Sequence, residues 1–251
     1  MVNSHKQSNE RVALVTGAAR GLGKATALSL AASGYHVWLG VRNVDDAQAL
    51  LYQIREAGGM ADVVALDVTN PQDIKDSAWE IGRRHEKLDI LINNAGVMLD
   101  GGWLVNTSIT VDPDVLKTTF ETNFFGVVAL TQALWPLLQA AGNANVVNVS
   151  SGMASNTVHA NPEGPLKGCK PFAYDASKAA LNTFTTHLAE IGQSLGIQVN
   201  SAHPGWVRTE LGTEYAELSI EEGIQTILEL ALLEPNTRTG RFEHAGHPVP
   251  W

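Results

Sequence analysis

Short apolar runs alternate with longer amphipathic stretches along most of this chain. "VALVTG", "HVWLG", "DVVALDV", "LDILINNAG", "ANVVNVSS" and "IQVNSAHPG" are too short for helices and rich in Val, Ile and Leu. Apolar runs of this kind mark strands covered on both faces, as in a parallel sheet. Between them lie helical patterns over residues 21–33, 45–57, 71 to about 85, 112 to about 138, 172–195 and 220–232. Leu50, Leu51 and Ile54 form the apolar stripe of the second. Pro71 opens the third, where a missing N–H costs nothing, and Pro136 predicts a bend in the fourth. Strand alternating with helix throughout predicts an α/β, doubly wound parallel sheet of the Rossmann type. No linker, charge block or repeat divides it. A single domain is expected over 11–251, behind a flexible polar tail over 1–10.

Charge and composition narrow the partners. Lys plus Arg number 17 against 26 Asp plus Glu, a net charge of −9, which argues against a nucleic-acid surface. The one cysteine, Cys169, excludes an intrachain disulfide and fits a reducing compartment. No apolar run approaches the ~20 residues of a membrane span, and the first ten residues lack the apolar segment of a secretory leader. A cytoplasmic location without membrane or nucleic-acid partners is expected. His244 and His247 lack a third ligand in sequence, so no metal site is expected.

"VTGAARGLGKA" joins the first strand to the first helix, with glycines at Gly17, Gly21 and Gly23. Glycine permits a tight turn and close approach of backbone N–H groups to a pyrophosphate. The helix that starts there presents unpaired N–H donors at its positive end. A turn in this position binds a dinucleotide. NAD would call for a carboxylate at the end of the second strand. Val41 and Arg42 stand there instead, and Arg20 lies inside the turn. Two guanidiniums suit a 2′-phosphate, so NADPH/NADP+ is the expected cofactor. Asp45 and Asp46 fall slightly too far along to replace the missing acid.

"TGAARGLG", "LDV" at 66–68, "NNAG" at 93–96, "NFFG" at 123–126, "NVSSG" ending at Gly152, "YDASK" from Tyr174 and "HPGWVRT" from His203 follow in that order. Together they resemble the short-chain dehydrogenases/reductases, from the first strand to the last helix. The insertion before Tyr174 and the NADP-type turn resemble the carbonyl-reductase branch. The resemblance implies a catalytic set of Asn123, Ser151, Tyr174 and Lys178, with Ser150 competing for the place of Ser151. It implies cofactor contacts from Gly17, Arg20, Gly21, Leu22 and Gly23, from Arg42, Asp67 and Val68, and from Asn94, Ala95 and Gly96. Tyr174, Lys178, Pro204, Gly205, Val207 and Thr209 complete that set. Ser151, Met153 and Trp206 are expected at the substrate. Asn123 would hold a water that relays protons toward Lys178.

Tyr174 and Lys178 are four apart and share a helix face. A free Tyr has a pKa of about 10, and a nearby ammonium is expected to lower it for proton exchange with a carbonyl oxygen. The implied reaction is NADPH-dependent reduction of a ketone or aldehyde. The same residues would serve an NADP-linked alcohol or steroid dehydrogenase in reverse. A non-catalytic NADP(H)-binding regulator would need the glycine turn but not the four catalytic positions together.

Pro162, Pro165 and Pro171, with Gly164 and Gly168, exclude a long helix over 156–172. An irregular flap that walls the substrate pocket is expected there. "KTTFETNFFGVVALTQALW" is apolar nearly all round and needs a second cover. In the family this is usually a partner subunit, which favours a homodimer or tetramer over a monomer.

Overall fold

The computed structural model describes residues 10–102 and 107–251; residues 1–9 of the expected tail lie outside the described residues. The first half runs β1 (Arg11–Thr16), α1 (Gly21–Ala32), β2 (Tyr35–Val41), a 3-10 turn (Val44–Ala47), α2 (Gln48–Glu56), β3 (Met60–Ala65), α3 (Pro71–His85) and β4 (Ile90–Asn93). The second half runs α4 (Pro113–Phe120), a π-helical turn (Glu121–Phe125), α5 (Gly126–Ala141), β5 (Ala144–Val149), a 3-10 turn (Gly152–Ala154), α6 (Asn156–Ala160), α7 (Phe172–Gln193), β6 (Ile197–Ala202) and α8 (Ile220–Ala231). Two short strands, β7 (Phe242–His244) and β8 (His247–Pro248), follow. Among the described residues the sheet has the order β3-β2-β1-β4-β5-β6-β7-β8. All its pairings are parallel except β7 with β8.

The six long apolar runs each became a strand because both faces of the sheet are covered. On β1, Ala13 and Val15 face a layer with Leu30, Leu50, Ile54 and Ile227 from α1, α2 and α8. Val12 and Leu14 face the other way, toward Ile81, Leu134 and Leu188 from α3, α5 and α7. Residues i and i+2 share a face of a strand, so a strand buried on both sides shows no polar alternation. Asn70 caps α3 by accepting from the N–H of Gln72 at 2.9 Å. Ser219 and Glu222 close a reciprocal capping box on α8.

Two expectations need correction. The departure from α geometry in the long helix falls at Glu121–Phe125, where Gly126 N–H donates to Glu121 O, and Pro136 sits inside α5. The π turn adds a residue to one turn and so kinks the helix without a proline. The whole stretch Pro113–Ala141, 29 residues, is also long and apolar enough to cross a membrane by those two measures. Thr and Gln interrupt its apolar run without removing its average apolarity. Here 33% of its most apolar window is buried within the fold.

Candidate active site

The carboxyl ends of the central strands open into one cleft. Its cavity, about 1050 Å³, takes in Gly17, Gly21 and Gly23 at one end and Ser151, Tyr174 and Lys178 at the other. Arg20, Leu22, Arg42, Asp67, Val68, Asn94, Ala95, Gly96, Pro204, Gly205, Trp206, Val207 and Thr209 also line it. The fold therefore gathers onto one surface nearly all the positions expected to bind cofactor or substrate.

The glycine turn has the shape a pyrophosphate needs. Gly17 and Gly21 have φ of +65° and +53°, a region L-residues with side chains rarely enter. A Cβ on Gly23 would meet Gly17 O at 2.3 Å and Asn94 Nδ2 at 2.6 Å. Arg20 precedes α1 but its side chain caps no N–H there, so the positive end of α1 faces the cleft without a side-chain acceptor. Thr16 locks the base of the turn. Its Oγ1 accepts from the N–H of Asn94 and of Ala95, both at 2.9 Å. Asn94 Nδ2 in turn donates to Thr16 O at 2.8 Å. These residues fit a nicotinamide dinucleotide: the turn and α1 would hold the pyrophosphate, and Lys178 lies where the nicotinamide half would end.

Ser150 and Ser151 both line the cleft, but their hydroxyls have different partners. Ser150 is buried and donates its hydroxyl to Asn182 Oδ1 at 2.8 Å. Ser151 caps the following 3-10 turn, accepting from Met153 N–H at 3.2 Å, and its side chain acts as a hydrogen-bond partner that pulls the Tyr174 pKa down. Burial outweighs that pull and, with the Asp175 charge adding to the rise, pushes the phenol up to about 12. Burial also brings the Lys178 ammonium down to about 8. Lys178 Nζ lies 5.8 Å from the Tyr174 ring centroid and donates to Val149 O at 2.7 Å. The expected lowering of the phenol by its lysine is thus reversed, because removal from water disfavours the charged form of each group.

Asn123 is fully occupied. Its Oδ1 accepts from Val97 N–H and its Nδ2 donates to Val97 O, each at 2.8 Å, with a further bond to Ser177 Oγ at 3.0 Å. The amide fixes the loop after β4 to α7. The first turn of α7 is set by a residue the sequence did not reveal. Asp100, fully buried, accepts from Ala173 N–H at 3.0 Å and Tyr174 N–H at 3.1 Å. A carboxylate at a helix N-terminus is stabilised there, yet it comes from 74 residues away and leaves no local signature.

Other expectations shift. Arg20 NH1 pairs with Glu210 Oε2 at 2.6 Å, both side chains largely exposed. Asp46 reaches the cavity lining, because the chain after Asn43 winds into a 3-10 turn. Met153 is buried and does not line the cavity; its carbonyl bonds His159 Nε2 at 2.9 Å. No residue of the 156–172 flap lines the cavity either. Its first part is helical (α6), and its contacts run to α7 and the C-terminal residue, not to the cleft. His159 reaches Asp175 Oδ2 at 3.2 Å, and Thr157 N–H donates to Trp251 O at 3.0 Å. The cleft wall comes instead from Leu99, from Thr118 and Thr122, and from Glu210, Leu211, Gly212 and Ile220. Trp206 lines it too, with its indole N–H bonded to Gly212 O. His203 is packed against His244, which with burial brings it down to about 4.

The sequence is similar to known proteins over most of its length. The family model described as short chain dehydrogenase matches residues 11–219. Short-chain dehydrogenase/reductase 1 of Saponaria officinalis is 30% identical, over 97% of each chain. Retinol dehydrogenase 13 of Homo sapiens is 34% identical, over 80% of this chain and 60% of its own length. The crystal structure of NADPH-bound carbonyl reductase from chicken fatty liver superposes with a TM-score of 0.85 at 28% identity, covering 96% of this chain and 99% of that one.

Proposed function

Since the chain belongs to the short-chain dehydrogenase family, we propose that it is an NADPH-dependent reductase of ketones or aldehydes in which Tyr174 donates the proton. The observation that carries this reading is the meeting of Ser151, Tyr174 and Lys178 at one end of a cleft whose other end is the glycine turn. When bound, the cofactor supplies the hydride. The Ser151 hydroxyl and the Tyr174 phenol would both bond the carbonyl oxygen, orienting it and drawing charge toward it. A phenol held near 12 is protonated at physiological pH, which suits a proton donor. As Tyr174 gives up its proton, the Lys178 charge would stabilise the phenolate. Thr16, Asn94 and Asp100 keep the two ends of the cleft in register.

Arg42 on the lining, with no acid at the end of β2, supports NADPH over NADH. The cofactor's 2′-phosphate would compete with Glu210 for Arg20. Asp46, beside Arg42 on the same lining, is the one feature that favours NADH. A guanidinium–phosphate contact contributes on the order of 1.5–3 kcal/mol, so a preference of roughly tenfold or more is expected. The test is kcat/KM with each cofactor over a ketone and aldehyde panel, repeated with Arg42→Asp. Preference for NADPH that the substitution erases supports the reading. Equal efficiency in the unmodified protein overturns the cofactor choice, and faster turnover of alcohols with NADP+ at neutral pH overturns the direction.

A further inference from the structure

At the amino ends of the strands, opposite the cleft, three side chains from separate elements converge. Glu10 precedes β1, His36 is the second residue of β2, and His85 is the last of α3. Glu10 Oε1 lies 3.1 Å from His36 Nδ1, and Glu10 Oε2 lies 3.2 Å from His85 Nδ1. One donor atom from each lies within 4.8 Å of the other two. The imidazole side chains are 11% and 5% exposed and the carboxylate 20%, so the cluster is lined and shielded yet reachable.

We propose that Glu10, His36 and His85 form a divalent transition-metal site, zinc being the natural occupant. Three observations carry it. Each imidazole Nδ1 stands 3.1 or 3.2 Å from one of the two Glu10 oxygens, near the ~3.3 Å between donors that lie about 2.0–2.1 Å from a tetrahedral zinc. The outer contacts are those of a ligating imidazole. His36 presents Nε2 to Asp62 Oδ2 at 2.8 Å, while Arg84 and Arg55 hold Asp62 at 2.8 and 3.3 Å. A carboxylate on the far nitrogen is the outer contact that orients a ligating imidazole, and it leaves His36 Nδ1 facing Glu10. Finally, His85 Nε2 is buried without a hydrogen-bond partner. The His85 ring itself is held by Trp38 and His36, which it meets edge to face, with Nδ1 left toward Glu10. Two imidazoles and a carboxylate suit zinc, cobalt or nickel far better than magnesium or calcium. The metal would clip β1, β2 and α3 together at the end of the sheet remote from catalysis. The three ligands are scattered in sequence, so no spacing motif announces them.

The rival occupant of the gap is a proton, with His36 an imidazolium between Glu10 and Asp62. The experiment uses the full-length protein after chelator treatment, titrated with Zn2+ by calorimetry and with Co2+ by absorption spectroscopy. The expected result is one equivalent bound, with the intense visible bands of tetrahedral cobalt and a rise in melting temperature with or without NADPH. His85→Asn and Glu10→Gln should each abolish it. Asp62→Asn should weaken it by roughly 10- to 100-fold, and His187→Asn, on the exposed face of α7, should leave it unchanged. No stoichiometric binding by the unmodified protein overturns the proposal, as does binding that survives both ligand substitutions. None of these readouts depends on the reductase reading.

Discussion

Tyr174 is the residue on which the chemistry converges, and its removal separates binding from turnover. Tyr174→Phe keeps the ring and removes the proton, so turnover should fall by about 10²–10⁴-fold while cofactor affinity changes little. Lys178→Met should weaken both, since the ammonium serves the phenol and lines the cleft where the nicotinamide half of the cofactor would end. Steady-state turnover beside a cofactor fluorescence titration measures the pair. A Phe variant that keeps most of its activity would place the proton donor elsewhere. The neighbouring Asp175 makes a different prediction. Burial, helped by Asp100, raises its carboxyl from 3.8 to about 8, and one of its oxygens is buried without a partner. Burial also lowers His159, its neighbour at 3.2 Å, since removal from water disfavours the charged form of each group. The sign follows directly. Between the unfolded pKa near 4 and the folded value near 8, the native state binds more protons than the unfolded state, so Asp175 makes stability fall as pH rises. Asp175→Asn should remove that slope. Urea midpoints from pH 5 to 9 for both proteins test it, and parallel curves would show Asp175 ionised in the fold.

At the scale of elements, the glycine turn is the least tolerant piece of the cleft. A Cβ on Gly23 meets backbone at Gly17 O, which cannot rotate away as a side chain could. Gly23→Ala should cost about 1–3 kcal/mol by overpacking, which for a protein of this size lowers the melting temperature by roughly 2–10 °C. Cofactor affinity should fall tenfold or more, about 1.4 kcal/mol; an unchanged titration would mean that the turn does not seat the pyrophosphate. The turn was legible in the sequence because its signal is local: three glycines between an apolar run and a helix. Most of the six long strands were legible for the same reason, since burial on both faces writes itself as short runs rich in Val, Ile and Leu. What escaped was written nonlocally or too briefly. β7 and β8 are too short to make a run. Asp100 caps α7 from a distant loop, and the π turn at Asn123 is a matter of hydrogen-bond register, not composition. The flap was read correctly as broken by proline, but its direction of packing depends on His159 meeting Asp175, which no spacing reveals.

The whole molecule leaves apolar surface on the helices that flank Tyr174. Phe125 in the π turn and Ile191 on α7 are 51% and 59% exposed. The flap binds at the first turn of α7 through His159 and so does not extend along both helices. A homodimer or tetramer is therefore expected in solution, and light scattering at micromolar concentration measures it; a clean monomer overturns the expectation.

The strand order β3-β2-β1-β4-β5-β6-β7-β8 has a consequence for how the chain leaves the ribosome. β2 joins one side of β1, and β3 joins β2. β4 then joins the other side of β1, and each later strand adds at the growing outer edge. No strand must force itself between two that have already paired, so the sheet can be laid down in the order of synthesis. Among the described strands the longest wait comes midway. β4 ends at Asn93 and β5 begins at Ala144, a gap that takes roughly 2–10 s to translate at about 5–20 residues per second. During that interval the edge of β4 is bare, and the nascent chain is then most exposed to pairing with a neighbour on the same message.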